Sequence, residues 1–132
     1  IRHLGAIPVS RQDEHKAGVI LRTLLEILSR GEDILIFPEG SRSFDGKLQP
    51  MEGGVAMLAS HAKAPILPVC VKGTFEAMPR GSSVPKPKKI EVIFGRLIDP
   101  LDLPDDMKEK EKRLYVLDQL EQQMKEMMLK LG

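Results

Sequence analysis

The sequence predicts an α/β fold, a β-sheet flanked by helices and followed by one long C-terminal helix. Three observations predict it. Short apolar runs rich in β-branched residues, Asp33–Phe37, Ile66–Val71 and Ile90–Gly95, have the length of strands. Ala17, Ile20, Leu21, Leu24, Ile27 and Leu28 recur at helical spacing. Further on, Leu117, Leu120, Met124, Met127 and Leu131 fall at a 3-4-3-4 spacing along a charged segment that starts at Asp105.

Taken in order, residues 5–11 read as a strand, or its end, finishing at Arg11. Asp13 is suited to cap the first helix, which Gly31 stops. Pro38 cannot donate a ladder hydrogen bond, so pairing of the Asp33–Phe37 strand should end there. Gly40 then frees the backbone for a tight turn or a close approach. Glu39 and Arg42 therefore stand just past the carboxyl end of a buried strand, where open α/β sheets place their ligands. Asp45-Gly46 signals a turn, and Gly53-Gly54 opens a short helix over 55–62. Pro68 marks an edge or an irregularity in the next strand. Pro104-Asp105 is a boundary, so residues 1–104 are read as the body of a domain and 105–132 as a helix whose apolar stripe packs on it. Self-association and shallow membrane contact are the other uses open to that stripe, although its mixed-sign charges do not suit an interfacial helix.

Composition narrows the function. A chain of 132 residues with 42% apolar and 30% charged residues suits one soluble domain with a modest core. Aromatics are 4% with no Trp, and the net charge is +1, which argues against nucleic acid as a partner. Cys70 is the one cysteine and lies in an apolar run, fitting a reducing cytoplasm and a small core residue. The longest nearly apolar run, Ala64–Val71, is eight residues, far short of the ~20 a membrane-spanning helix needs.

Two nucleotide- and ester-handling motifs can be rejected by spacing. Five residues separate Gly40 from Gly46, and Leu48 follows Lys47 where a phosphate loop needs Ser or Thr. Ser41 follows Gly40 directly, so no Gly-x-Ser-x-Gly elbow exists. No Cys/His cluster stands at metal-ligand spacing, and no cofactor is indicated.

Phe37-Pro38-Glu39-Gly40-Ser41-Arg42-Ser43, by contrast, resembles the Phe-Pro-Glu-Gly-Thr/Ser-Arg-Ser block of the glycerolipid acyltransferase superfamily. Gly5-Ala6-Ile7-Pro8-Val9-Ser10-Arg11 resembles that family's Gly-x-Ile/Phe-x-x-x-Arg block, and Ala64-Pro65-Ile66-Leu67-Pro68-Val69 its Val-Pro-Ile-x-Pro-Val block. The resemblance covers residues 5 to about 75 and implies a mixed sheet flanked by helices. It further implies acyl transfer from acyl-CoA or acyl carrier protein to 1-acylglycerol 3-phosphate. Glycerol 3-phosphate, another lysophospholipid or another hydroxyl compound is the alternative acceptor. A peripheral location at the cytoplasmic face of a membrane goes with it. Arg42 first and Arg11 second are implied to grip the acceptor's phosphate, as the planar guanidinium fork suits. Glu39 is implied to order the acceptor or a neighbouring Arg, Gly40 and Ser41 to bring the backbone close, and Pro65–Val69 to shape a wall near the donor.

Two departures qualify the resemblance. The family's catalytic His-x-x-x-x-Asp is not found: five residues after His3, His15 and His61 stand Pro8, Ile20 and Ile66. The chain opens at Ile1 already inside the family pattern, so the expectation is the C-terminal part of a domain whose preceding part carries that motif. A non-catalytic lipid- or carrier-binding module is the alternative. Where the family reads Pro-Phe-Lys-x-Gly, this chain has Pro50-Met51-Glu52-Gly53-Gly54, with Glu52 in place of Lys. Finally, Arg80, Lys86, Lys88, Lys89 and Arg96 against Glu91 give residues 80–96 a local charge of +4. This Pro/Gly/Ser-rich stretch is either a solvated loop or a contact for anionic headgroups or a phosphorylated acyl carrier.

Overall fold

The computed structural model describes residues 14–132, with side chains from residue 18 onward. The described residues divide into two units, with the boundary between Leu35 and Ile36. The predicted strand over 5–11, Asp13 as a cap, and Arg11 lie outside the described residues.

The first unit contains α1 (Glu14–Ser29). Its stripe residues Ile20, Leu21, Leu24, Ile27 and Leu28 are half-buried. The helix stops as the sequence predicts. Gly31 has φ +76° and donates to Leu28 O at 3.0 Å, while Glu32 N reaches Ile27 O at 3.4 Å. That paired closure satisfies carbonyls the helix end would otherwise leave open.

The second unit contains α2 (Gly54–Ala62), β1 (Val69–Lys72), the short α3 (Thr74–Ala77), β2 (Glu91–Phe94) and α4 (Glu109–Leu131). β1 and β2 form an antiparallel ribbon in the register Val69↔Phe94, Cys70↔Ile93, Val71↔Val92 and Lys72↔Glu91. The sequence predicts a longer first strand, starting at Ile66. Instead Ile66 makes an isolated bridge to Ile98, and Pro68 interrupts the ladder between them. Pro68 has no N–H to give, but its carbonyl accepts from Gly95 at 2.8 Å, so the two segments stay side by side.

Alternation decides what each ribbon face meets. Cys70 is buried and Ile93 packs against the core, whereas Val71, Val92 and Phe94 are exposed. The core gathers Met51, Ala56, Cys70 and Ile98 with Val116, Leu120, Met124 and Met127 of α4. Val116, at 0% exposure, is the deepest side chain of α4. The helix thus packs its stripe on α2 and the ribbon, as its spacing predicts, with Val116 added and Leu117 and Leu131 at the margin. Polar pins complete the docking. The Gln123 amide accepts from Arg96 N at 2.7 Å and donates to Arg96 O at 3.1 Å, and Lys72 Nζ donates to Leu131 O. The lysine thereby meets the negative end of the helix dipole.

One expected element is not a strand. Asp33–Phe37 carries no ladder pairing among the described residues, and Leu35 (79%) and Phe37 (72%) are exposed. Apolar β-branched composition only suits a residue to a pleated surface; it makes a strand when a neighbouring edge accepts its backbone hydrogen bonds. No described strand lies beside this segment. The described pairing is antiparallel throughout, and no parallel pair of the expected mixed sheet occurs among the described residues.

Candidate functional site

The site loop begins where the sequence places its turn. Gly40 N donates to Phe37 O at 3.0 Å with Gly40 at φ +65°, a conformation that a side chain would strain. Pro38 contributes its carbonyl, which accepts from Glu52 N at 2.7 Å. Glu39 contributes its carboxylate, whose Oε2 accepts from Gln49 N, also at 2.7 Å. These two hydrogen bonds clasp residues 39–52 into a closed loop with its ends at Phe37 and the start of α2.

Within the clasp a second network shapes the tip. Ser43 Oγ donates to Lys47 O at 2.9 Å, and Asp45 Oδ1 accepts from Lys47 N at 3.1 Å. Gln49 Nε2 donates to Lys47 O at 3.1 Å. The Lys47 backbone donor is the first cause holding the Asp45 carboxyl below its usual range, with Ser43 and the Lys47 charge assisting. Asp45-Gly46 is therefore the turn its dipeptide signals, here with the aspartate bonded to its own backbone two residues on.

Arg42 stands between the two networks and joins neither. Its side chain is exposed, and it has no carboxylate partner among the described residues. Glu39, three residues away, is committed to Gln49 instead. A guanidinium held on a braced loop, with no carboxylate partner among the described residues, can donate to an oxyanion in a paired fork. Ser41 and Gly40 are half-buried beside it.

Cys70 lies near enough to the clasp to feel it. Burial pushes its thiol up, and the negative charge of Glu39 adds to that. The thiol is buried and protonated, a core group and not a nucleophile. His61 is exposed on α2 with Nδ1 2.8 Å from its own helix carbonyl at Met57. It is not paired with an aspartate among the described residues.

Of the residues predicted for the site, Glu39, Gly40, Ser41 and Arg42 share this one loop, and Arg11 lies outside the described residues. Glu52 is exposed, and its backbone N–H, not its carboxylate, serves the loop. Gln49 was not legible in advance, because a backbone N–H received by a distant carboxylate has no sequence signature. Pro65 is exposed and Pro68 buried against the ribbon, so only part of the Pro65–Val69 segment can form a wall.

The profile of the Acyltransferase family matches residues 1–72, more than half of the chain. The chain belongs to this family, and the loop just described lies in the matched region. Among individual relatives, it is 34% identical over 79 residues to the chloroplastic 1-acyl-sn-glycerol-3-phosphate acyltransferase BAT2 of Brassica napus, which covers 60% of this chain and 23% of that one. It is 27% identical over 131 residues to the 1-acyl-sn-glycerol-3-phosphate acyltransferase of Bacillus subtilis, covering 99% of this chain and 61% of that one. The crystal structure of the 1-acyl-sn-glycerophosphate acyltransferase PlsC from Thermotoga maritima is similar, with a TM-score of 0.66 and 31% identity. That match covers 82% of this chain and 44% of the Thermotoga chain. The chain thus spans about a quarter of the length of the plant relative and less than half of the PlsC structure.

Proposed function

We propose that this chain forms the acceptor side of an enzyme that transfers an acyl group from a thioester to the free hydroxyl of 1-acylglycerol 3-phosphate. The observation that carries the proposal is the clasped loop, which holds Arg42 exposed while Glu39 is occupied elsewhere. Arg42 grips the acceptor's phosphate, with Arg11 as a second cation. Residues 1–104 belong to the acyltransferase domain, and 105–132 form a helix on the same domain. Acyl-CoA or acyl carrier protein is the donor, and the protein works at the cytoplasmic face of a membrane as a peripheral enzyme. No described helix is long and apolar enough to cross a bilayer.

The chemistry requires a base for the hydroxyl proton and donors for the oxyanion. In the family a histidine, oriented by the aspartate of His-x-x-x-x-Asp, takes that proton. The acceptor oxygen attacks the thioester carbonyl, the carbon–sulfur bond breaks, and the departing thiolate regains a proton from the imidazolium. This chain supplies neither residue, so in the complete protein they come from outside residues 1–132.

The test is an acceptor panel. The complete protein, given acyl-CoA and monitored for free thiol, should use lysophosphatidate in preference to glycerol 3-phosphate or monoacylglycerol. Preference for another acceptor contradicts the phosphate assignment. The 132-residue chain alone should show no turnover, and turnover matching the complete protein would demand a different base. A complete protein that binds lysophosphatidate or carrier without turnover would instead be a non-catalytic binding module.

A further inference from the structure

The basic stretch after α3 is a built loop. Lys86 N donates to Ala77 O at 2.7 Å and closes its base. Ser82 N donates to Pro79 O at 3.0 Å, and Ser82 Oγ to Val84 O at 3.0 Å, which folds the tip. From Arg80 to Lys89 it carries four cations and no acid. Lys89 spends part of its charge on Glu91 at 2.7 Å, but Lys86 and Lys88 are exposed and have no carboxylate partner among the described residues. Val84, at 72%, is among the most exposed apolar residues of the chain, and Met78 at the foot of the loop is exposed as well.

One contact ties this loop to the acceptor loop, and a second ties the helix that precedes it. The Arg80 guanidinium lies over the Phe44 ring, 4.1 Å from its centroid. Gly46 rests on Phe75 of α3, so closely that a Cβ there would stand 3.1 Å from the ring. Phe44, two residues from Arg42, is itself 66% exposed. Cations and bare apolar side chains are therefore joined to the loop that carries the candidate phosphate-binding arginine. That combination suits the bilayer interface, where apolar groups enter between headgroups and lysines meet anionic lipid.

We propose that residues 78–89, latched to the acceptor loop by Arg80 on Phe44, form the surface through which the protein docks on an anionic bilayer. The inference rests on the acceptor reading above: an acceptor carrying an acyl chain has the bilayer as its reservoir, and this surface is latched to the loop that carries Arg42. Docking there brings the lipid's headgroup to the guanidinium without the acyl chain leaving the membrane.

The experiment uses the complete protein and the double variant Lys86→Gln/Lys88→Gln. Binding is measured to phosphatidylcholine vesicles with and without phosphatidylglycerol, at low and physiological salt. The variant should lose about thirtyfold in affinity for the anionic vesicles, at roughly 1 kcal/mol per basic residue near the surface, and little for the neutral ones. Lys86→Arg/Lys88→Arg should bind as the parent does. Turnover of a lysophosphatidate embedded in anionic vesicles should fall, while turnover of a short-chain, water-soluble lysophosphatidate stays unchanged. Unaltered affinity for anionic vesicles overturns the proposal. So does a variant that binds vesicles normally but loses turnover with acyl carrier protein as donor and not with acyl-CoA, since the loop would then be a carrier dock. Should vesicle binding fall as expected while the parent fails to acylate lysophosphatidate in either form, the docking surface stands and the acceptor reading fails.

Discussion

Glu39 and Arg42 are three residues apart with opposite charges, and a surface ion pair between them would be the simplest use of both. The structure separates their tasks. Glu39 closes the loop through Gln49 N, and Arg42 is left exposed. Hydrogen bonds to charged groups are worth about 1.5–3 kcal/mol, less where solvent competes. Glu39→Ala should therefore lower unfolding stability by about 1–2 kcal/mol in denaturant titration, and Glu39→Gln, which keeps an accepting oxygen, should restore much of that. Equal stability in all three proteins would show that the clasp holds nothing. Cys70 gives a second prediction at this scale. Its native pKa is raised by burial and by Glu39, so the folded protein holds the thiol proton more tightly than the unfolded chain does. Stability is then unaffected below the unfolded value near ~8.5 and declines as pH rises through it, because the unfolded state ionises first. Iodoacetamide labelling of native protein should be slow at neutral pH and become fast on adding denaturant. Rapid native labelling would contradict the burial. The motif located Glu39 and Arg42 in the sequence, but the carboxylate's partner, Gln49 N, lies ten residues along the chain and leaves no mark in it.

At the scale of elements, helices were legible and one strand was not. The stripe of α4 and the stop of α1 at Gly31 follow from periodicity and local backbone chemistry, which act within the segment itself. Asp33–Phe37 has equally strand-like residues, yet pairing is a property of two segments, and no described segment pairs with it. Two substitutions test the turns between elements in opposite directions. Gly73 has φ +93°, and a Cβ on it would collide with the Lys89 carbonyl oxygen. Gly73→Ala should cost at least about 3 kcal/mol, since a backbone atom must move and the left-handed conformation adds roughly 1–2 kcal/mol. Lys63 ends α2 in the same left-handed region, at φ 50°, with its N–H on Ala59 O. Lys63→Gly should raise stability by up to about 1 kcal/mol, because glycine takes that conformation without steric cost. Thermal unfolding of both variants checks the pair. A tolerated Gly73→Ala would mean the β1–α3 turn is not as tight as described.

For the molecule as a whole, the family was legible from three short blocks, and a family match over residues 1–72 with a PlsC-like fold agrees with it. Chemistry was legible only in outline, because the Glu39–Arg42 block is present and the His-x-x-x-x-Asp motif is not. The central claim is that the loop exists to offer Arg42 to a phosphate. It is tested most directly by Arg42→Ala in the complete enzyme, with acceptor kinetics on lysophosphatidate and on its phosphate-free analogue, monoacylglycerol. Losing a charge-assisted phosphate contact should raise the Michaelis constant for lysophosphatidate by about ten- to a hundredfold. Use of monoacylglycerol should barely change, and Arg42→Lys should recover only part of the loss, keeping the charge without the paired fork. If Arg42→Ala impairs both acceptors equally, the arginine supports the loop and the phosphate assignment is wrong.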